Sequence, residues 1–286
     1  MKRNILFILI FVFHLISSAC SRHIEIEIIP DGYDSIPVIK SVEPLLREAS
    51  GIADSKKNKG MLWVEEDSGN PPQLHLLTHE GKILKQVFIK NAINRDWEDI
   101  CLADGKLYIG DIGDNAQVND EYVIYIFDEP LSTVDTVFVF EKIRFRYVDG
   151  PRDAEAFFVD DFTKDIYIVT KRDNPSKVYR LSYPYSDTLL NIAEQVAALT
   201  YTGVVSATLS PNGKEIILKT YIGLQQYTRG ANQTIAEALK NKYVALPYKM
   251  EPQGEAVCFA ANNTGYFTLS EKGFGSVVNL YFYRKK

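Results

Sequence analysis

The chain has 286 residues, 46% of them hydrophobic, and a formal net charge of −5. That length allows a large core in one or two domains, and the acidic balance excludes the basic footprint of a nucleic-acid binder. With 17 Tyr and 15 Phe, the composition favours strands over helices.

Residues 1–19 read as a signal peptide. Lys2 and Arg3 form its charged start, and Ile5–Ile16 is an apolar run of 12 residues, shorter than a membrane span. Ser17-Ser18-Ala19-Cys20 resembles a bacterial lipobox, with Ser17 where Leu is usual. That reading makes Cys20 the lipidated first residue of an exported protein, anchored to a membrane in the periplasm or at the cell surface. Ser17 and Ala19 also suit ordinary cleavage after Ala19; either way the mature protein leaves the cytoplasm. Residues 20–36 form an anchor segment, in which Ile24–Ile29 alternates as a strand without an assigned partner.

Residues 37–286 form one domain with a fivefold beat. Ala49-Ser50-Gly51-Ile52, Trp97-Glu98-Asp99-Ile100, Ala154-Glu155-Ala156-Phe157, Val205-Ser206-Ala207-Thr208 and Gly254-Glu255-Ala256-Val257 recur at intervals of 48, 57, 51 and 49 residues. All-β repeats of roughly 40–50 residues are typical of propeller blades. Each repeat opens with a strand bearing a Ser or Glu and then turns through Gly, Asn or Asp, as at Ala103-Asp104-Gly105 and Pro211-Asn212-Gly213. Apolar second strands follow at 62–64, 107–109, 166–168, 216–218 and 266–268. Third strands are expected at 73–78, 122–127, 177–181, 224–227 and 277–283, and fourth strands at 83–89, 137–147, 195–201 and 243–248. Ile235–Asn241 reads as a short helix inserted in the fourth repeat. The fifth repeat lacks a fourth strand, and Val38–Val42 is spaced to supply it. The expected fold is all-β, a five-bladed propeller closed by an N-terminal strand; the competing reading is an irregular β-sandwich.

In a propeller the first strands line the central channel, so Ser50, Glu98, Glu155, Ser206 and Glu255 would form one oxygen-rich ring. Hard cations such as Ca²⁺ take oxygen ligands of this kind, whereas zinc would need the Cys and His that these positions lack. The alternative is that the three Glu bond backbone amides or water across the channel. Cys101 and Cys258 both lie three residues after a repeat Glu, in repeats that are not ring neighbours, and read as small core residues rather than a disulfide.

The order Ser, Glu, Glu, Ser, Glu resembles the soluble calcium-activated nucleotidases (apyrases), five-bladed propellers with one central Ca²⁺. The resemblance implies that Ser50, Glu98, Glu155, Ser206 and Glu255 hold calcium. It also implies a Ca²⁺-dependent hydrolase of phosphorylated or other anionic small substrates. Arg95-Asp96-Trp97-Glu98-Asp99-Ile100, Gly110-Asp111-Ile112-Gly113-Asp114-Asn115 and Asp153-Ala154-Glu155-Ala156 are similar to an uncharacterised group of bacterial secreted propeller proteins, a likeness that implies no activity.

The exits of the second strands form the other polar group. Glu65–Asn70 and Gly110–Asn115 are acidic, while Lys171-Arg172 and Lys219 are basic and Glu271 follows in the fifth repeat. For phosphate chemistry, Lys171, Arg172 and Lys219 would clamp phosphoryl oxygens, and Asp67, Asp111 or Asp114 would position a water or a second metal. For glycoside chemistry two of those carboxylates would act as an acid–base pair. The spacing does not choose, and Asp, Asn and Gly also simply build turns. No G-x-S-x-G elbow, dinucleotide fingerprint or P-loop is present. The expected partners are a small anionic substrate or surface ligand and, through Cys20, a membrane. The chain is expected to act as a monomer. The alternative function is a non-catalytic propeller binding a surface glycan, peptide or protein, with a structural cation.

Overall fold

The computed structural model describes residues 32–273 and 277–286. The signal segment, Cys20 and Ile24–Ile29 lie outside the described residues. The chain enters through β1 (Val38–Ser41). The first repeat contains β2 (Ala49–Asp54), β3 (Met61–Glu66), β4 (Gln73–Thr78) and β5 (Ile83–Ile89). The second contains β6 (Trp97–Ala103), β7 (Lys106–Asp111), β8 (Tyr122–Asp128), β9 (Thr136–Val137) and β10 (Glu141–Tyr147). The third contains β11 (Ala154–Val159), β12 (Ile166–Thr170), β13 (Lys177–Leu181) and β14 (Asn191–Ala198). The fourth contains β15 (Val204–Leu209), β16 (Glu215–Thr220), β17 (Gly223–Thr228), the short helix α1 (Ile235–Ala238) and β18 (Val244–Ala245). The fifth contains β19 (Gly254–Phe259), β20 (Gly265–Ser270) and β21 (Asn279–Arg284).

The opening three strands of every repeat pair antiparallel in chain order. Their first hairpins turn through left-handed residues at Gly60, Gly105, Lys164, Gly213 and Asn263. β1 pairs antiparallel with β21, Val38 opposite Phe282, and so adds a fourth strand to the last sheet. The long outer region of the second repeat behaves differently from a single strand over 137–147. Its first part, β9, runs parallel to β5 of the first repeat. Its second part, β10, pairs parallel with β14 of the third repeat, Phe145 opposite Asn191. The second and third repeats therefore share one eight-stranded sheet, nearly closed because its end strands β6 and β11 touch.

The opening strands make a closed cycle of contacts: β2 with β6, β6 with β11, β11 with β15, β15 with β19, and β19 back with β2. The core divides accordingly into five clusters, each between neighbouring repeats. Trp63 packs with Trp97, Phe145 with Tyr179, Phe158 with Tyr227, Ile217 with Tyr266, and Val64 with Leu269. Each sheet is thus covered on both faces, which is why the second strands read as continuous apolar runs rather than alternating ones. Cys101 and Cys258 are free and line one cavity of about 50 Å³ at one end of the cycle, their thiols pushed up by burial. The architecture is all-β and consistent with a β-propeller-like fold.

The inner strands approach closely at Gly51. A Cβ there would stand 2.6 Å from Ile100 N, 2.7 Å from Asp99 Cα and 2.7 Å from Glu65 Oε1, two of them backbone atoms that cannot yield cheaply. Gly51→Ala is expected to cost about 1–3 kcal/mol and to lower the melting temperature by roughly 3–10 °C. An unchanged melting curve would show that the inner ring is looser than this packing.

Candidate cation and ligand site

Every opening strand slips register against its second strand at its first turn. The slip falls between Ala49 and Gly51, Trp97 and Ile100, Ala154 and Ala156, Val204 and Ser206, and Gly254 and Ala256. A bulge leaves its extra residue out of the ladder and re-aims that side chain. The residues so released are Ser50, Glu98 together with Asp99, Glu155, Val205 and Glu255. Four of the five are the oxygen-bearing residues expected from the repeat. In the fourth repeat the register puts Val205 in that slot, and Ser206 lies one residue further on, opposite Lys219. A one-residue offset in a strand sends a side chain elsewhere.

Ser206 instead joins an inner lock built on Asp99. This aspartate is fully buried and has a left-handed backbone, φ 65°. It accepts from Ala207 N at 2.9 Å, Ser206 Oγ at 3.2 Å, Phe157 N at 3.4 Å and its neighbour Ile100 N at 3.0 Å. Ser206 Oγ in turn accepts from Val257 N at 3.1 Å. One carboxylate therefore ties the second repeat to the third and fourth, and through Ser206 to the fifth. The sequence carried a signal for it: the residue after the motif position is Gly51, Ala156, Ala207 or Ala256 in four repeats and Asp99 in the second.

Beside the bulged residues stand the ends of the second strands and the loops just beyond them. Asp67, Ile112, Lys171, Tyr221 and Glu271 follow the apolar strands at near-equivalent positions. On one side of the mouth Ser50 Oγ donates to Glu98 Oε2 at 2.7 Å. Carboxylate oxygens of Glu98, Asp67 and Asp96 lie within 4.8 Å of one another. On the other side Lys171 Nζ donates to Glu155 Oε1 and, at 3.1 Å, to Tyr221 Oη, and stands 3.8 Å from Glu255 Oε1. Tyr221 donates to Glu255. Glu65, pointing inward behind Gly51, is fully buried, and neither of its carboxylate oxygens has a hydrogen-bond partner. Glu155 Oε2 is also buried without a partner.

This crowding shifts the acids in one direction. Burial, then repulsion from Glu155, Asp67 and Glu255, holds Glu98 well above the usual carboxylate range. Burial and the neighbouring Asp67 and Asp99 do the same to Glu65. Asp67 rises to about 6, Glu155 to about 8 and Glu271 to about 9, each chiefly through burial and then through its acidic neighbours. Burial and Asp153 also raise Asp96. Such a set favours a proton or a cation, and orphaned carboxylate oxygens match the ligand type that hard divalent cations prefer.

The remaining residues singled out in the sequence take structural places. Asp111 accepts from Asp96 N at 2.9 Å and faces Arg95 at 3.9 Å, so it holds the backbone that carries Asp96. Asp114 accepts from Asn119 N at 2.9 Å, Tyr122 Oη at 2.8 Å and Val118 N at 3.1 Å; these bonds hold it below its ordinary range against the pull of burial. Neither belongs to the acidic group at the mouth. Arg172 is half-exposed at the rim and pairs with Asp153 at 2.6 Å and with Asn115. Lys219 is fully buried, 3.2 Å from Glu251 and 4.0 Å from the Tyr248 ring centroid, and so is closed to a ligand. Trp63 and Trp97 are core residues; their indoles donate to Glu129 and to Ile93 O. Tyr221, Asp96 and Glu65 were not singled out from the sequence. Tyr221 and Glu65 share the spacing of Lys171 and Lys219, which is the pattern that marks them.

No protein-family model matches the chain, and no curated protein sequence does. Solved structures that the chain matches include U3-55K, with 8% identity, a TM-score of 0.41, and coverage of 82% of this chain and 67% of that one. Another is hydrazine synthase of Kuenenia stuttgartiensis, with 10% identity, a TM-score of 0.41, and coverage of 81% and 82%.

The raised acids make the cation-free protein sensitive to alkali. A group whose folded value is raised stabilises fully below its unfolded value, and that contribution is lost as pH climbs through the folded value. For Asp67, Glu155 and Glu271 those folded values are about 6, 8 and 9. In the presence of chelator the melting temperature is therefore expected to fall steadily from pH 5 to pH 9. Differential scanning fluorimetry across that range checks it; a flat or rising profile would contradict the acidic cluster.

Proposed function

We propose that the protein is an exported, membrane-anchored, five-bladed β-propeller that holds one hard divalent cation, Ca²⁺ in character, at its channel mouth. Through that cation it holds an anionic group of a small ligand or surface partner. The closed cycle of five opening strands supports the five-bladed reading. The observation that carries the functional reading is the convergence of Asp67, Asp96 and Glu98 beside the unpartnered carboxylate of Glu65, with Lys171 engaged on the far side. These residues fit a calcium-type ion: all donors are oxygens, and Ser50 orients one of them.

Asp67, Asp96 and Glu98 would hold the ion, and Asp111 would fix the loop that presents Asp96. A bound divalent ion supplies charge for an incoming phosphoryl or carboxyl oxygen. Asp114 and Lys219 are committed to loop and core bonds, which favours ligand binding over an acid–base pair drawn from the exit loops.

A hydrolytic reading has one specific support. Asp67 is half-buried at the mouth, and where Asp96 and Glu98 hold the ion without it, its carboxylate would be placed to accept a proton from water. That reading rests on Asp67 alone among the three aspartates considered as catalytic.

Elemental analysis of the purified protein is expected to find about one calcium per chain, and chelator is expected to lower the melting temperature. Asp96→Asn should weaken Ca²⁺ binding by about tenfold or more, as expected for loss of one charged ligand. Absence of bound or bindable calcium would overturn the cation reading. Turnover of nucleoside diphosphates that requires Ca²⁺ and is lost in Asp67→Asn would establish the hydrolytic reading; calcium binding without turnover leaves the binding role.

A further inference from the structure

The two sides of the mouth are neutralised differently. Asp67, Asp96 and Glu98 face no basic group within salt-bridge distance among the described residues. Glu155 and Glu255 do, because the Lys171 ammonium lies between them. Its backbone is pinned on both sides of the side chain. Lys171 N donates to Asp153 O at 3.0 Å, and Lys171 O accepts from Gly203 N at 3.0 Å and Thr202 Oγ1 at 3.1 Å. The side chain is only 17% exposed, so the ammonium has little freedom to leave. Tyr221 completes the clamp by bonding both Lys171 and Glu255. Burial alone would lower the lysine, but Glu155 and Glu255 outweigh it and hold it above its ordinary range.

We propose that Lys171 is a built-in counter-cation that occupies the Glu155–Glu255 side of the mouth. It thereby confines the exchangeable divalent ion to the Asp67–Asp96–Glu98 side, at one ion per chain. This rests on the cation reading above and adds which carboxylates the ion can reach. A tethered ammonium competes at a fixed, high local concentration, and a free ion must displace it to use Glu155 or Glu255. Like charges on one ring repel where water is scarce, so Lys171 also weakens binding at the open side. With Lys171 gone, both oxygens of Glu155 become free ligands, and Glu255 keeps only its bond from Tyr221.

Calorimetric titration with CaCl₂, paired with melting curves in chelator, tests this on the purified protein. The parent is expected to take one ion. Lys171→Met is expected to take a second, or to bind the first about tenfold more tightly. It should melt lower than the parent in chelator and gain more from Ca²⁺. Lys171→Arg keeps the charge and should behave like the parent. A folded Lys171→Met with parental stoichiometry and affinity overturns the proposal. Calcium binding by Lys171→Met but not by the parent overturns the proposal, since no ion is then confined to the Asp67–Asp96–Glu98 side of the native protein; binding by neither overturns it together with the cation reading. Should Lys171→Met fold only with Ca²⁺ present, the ion is replacing the ammonium, as proposed. Should it fold under no condition, Tyr221→Phe takes its place: it loosens the clamp and is expected to bind Ca²⁺ more tightly, and unchanged binding overturns the proposal.

Discussion

The structure depends on one repeated constraint, a register slip at the start of each strand in a closed inner ring. Edge-on packing of β2, β6, β11, β15 and β19 leaves room for small side chains only, as Gly51, Ala156 and Ala256 show. A regular strand would bury every polar side chain in that packing or point it at a neighbouring sheet. The bulge instead lifts one residue out of the ladder in four of the strands and two, Glu98 and Asp99, in β6. That explains how Glu98, Glu155 and Glu255, each nearly fully buried, share one region despite successive separations of 57 and 100 residues in the chain.

The same device explains what could be read from the sequence. The turn residues and apolar second strands follow from local rules, and all five second strands fall where their patterns put them. The outer strands were less legible. Val137–Tyr147 has strand character throughout, yet the choice between one strand and two is made by its partners, β5 of the first repeat and β14 of the third. Only tertiary contact supplies that information. Val244–Ala245 shows the converse: a six-residue apolar stretch yields two paired residues, because beyond its pairing with Gln225 and Gln226 only Leu246 N reaches Leu224 O, and Pro247 has no N–H to continue the ladder.

At the site, the limit was register. Ser206 and Val205 are adjacent, and a hydroxyl is the obvious candidate for a ring of oxygens. The bulge in β15 nevertheless opens between Val204 and Ser206. The serine is committed to bonds with Asp99 and Val257 N. Asp99 stands in the sequence only as the neighbour of Glu98, but its left-handed backbone and four bonds make it the lock of the inner ring. A buried carboxylate with every bond satisfied is tolerable, whereas Glu65 with none is not.

That contrast orders the whole mouth. A rigid ring cannot spread its charges by rearrangement, so each acid must find a partner where it stands. Asp99 takes backbone amides, Asp114 takes the amides of its own loop, and Glu251 takes Lys219 in the core. Glu155 and Glu255 share Lys171. After these assignments Glu65, Asp67, Asp96 and Glu98 remain together with a single serine hydroxyl among their bonds to other side chains of the inner ring. A proton on one of them relieves part of the repulsion but leaves the orphaned oxygens of Glu65 unbonded. In the proposed reading, one divalent ion on Asp67, Asp96 and Glu98 would relieve that repulsion, and the fixed position of Lys171 would decide on which side of the axis it sits.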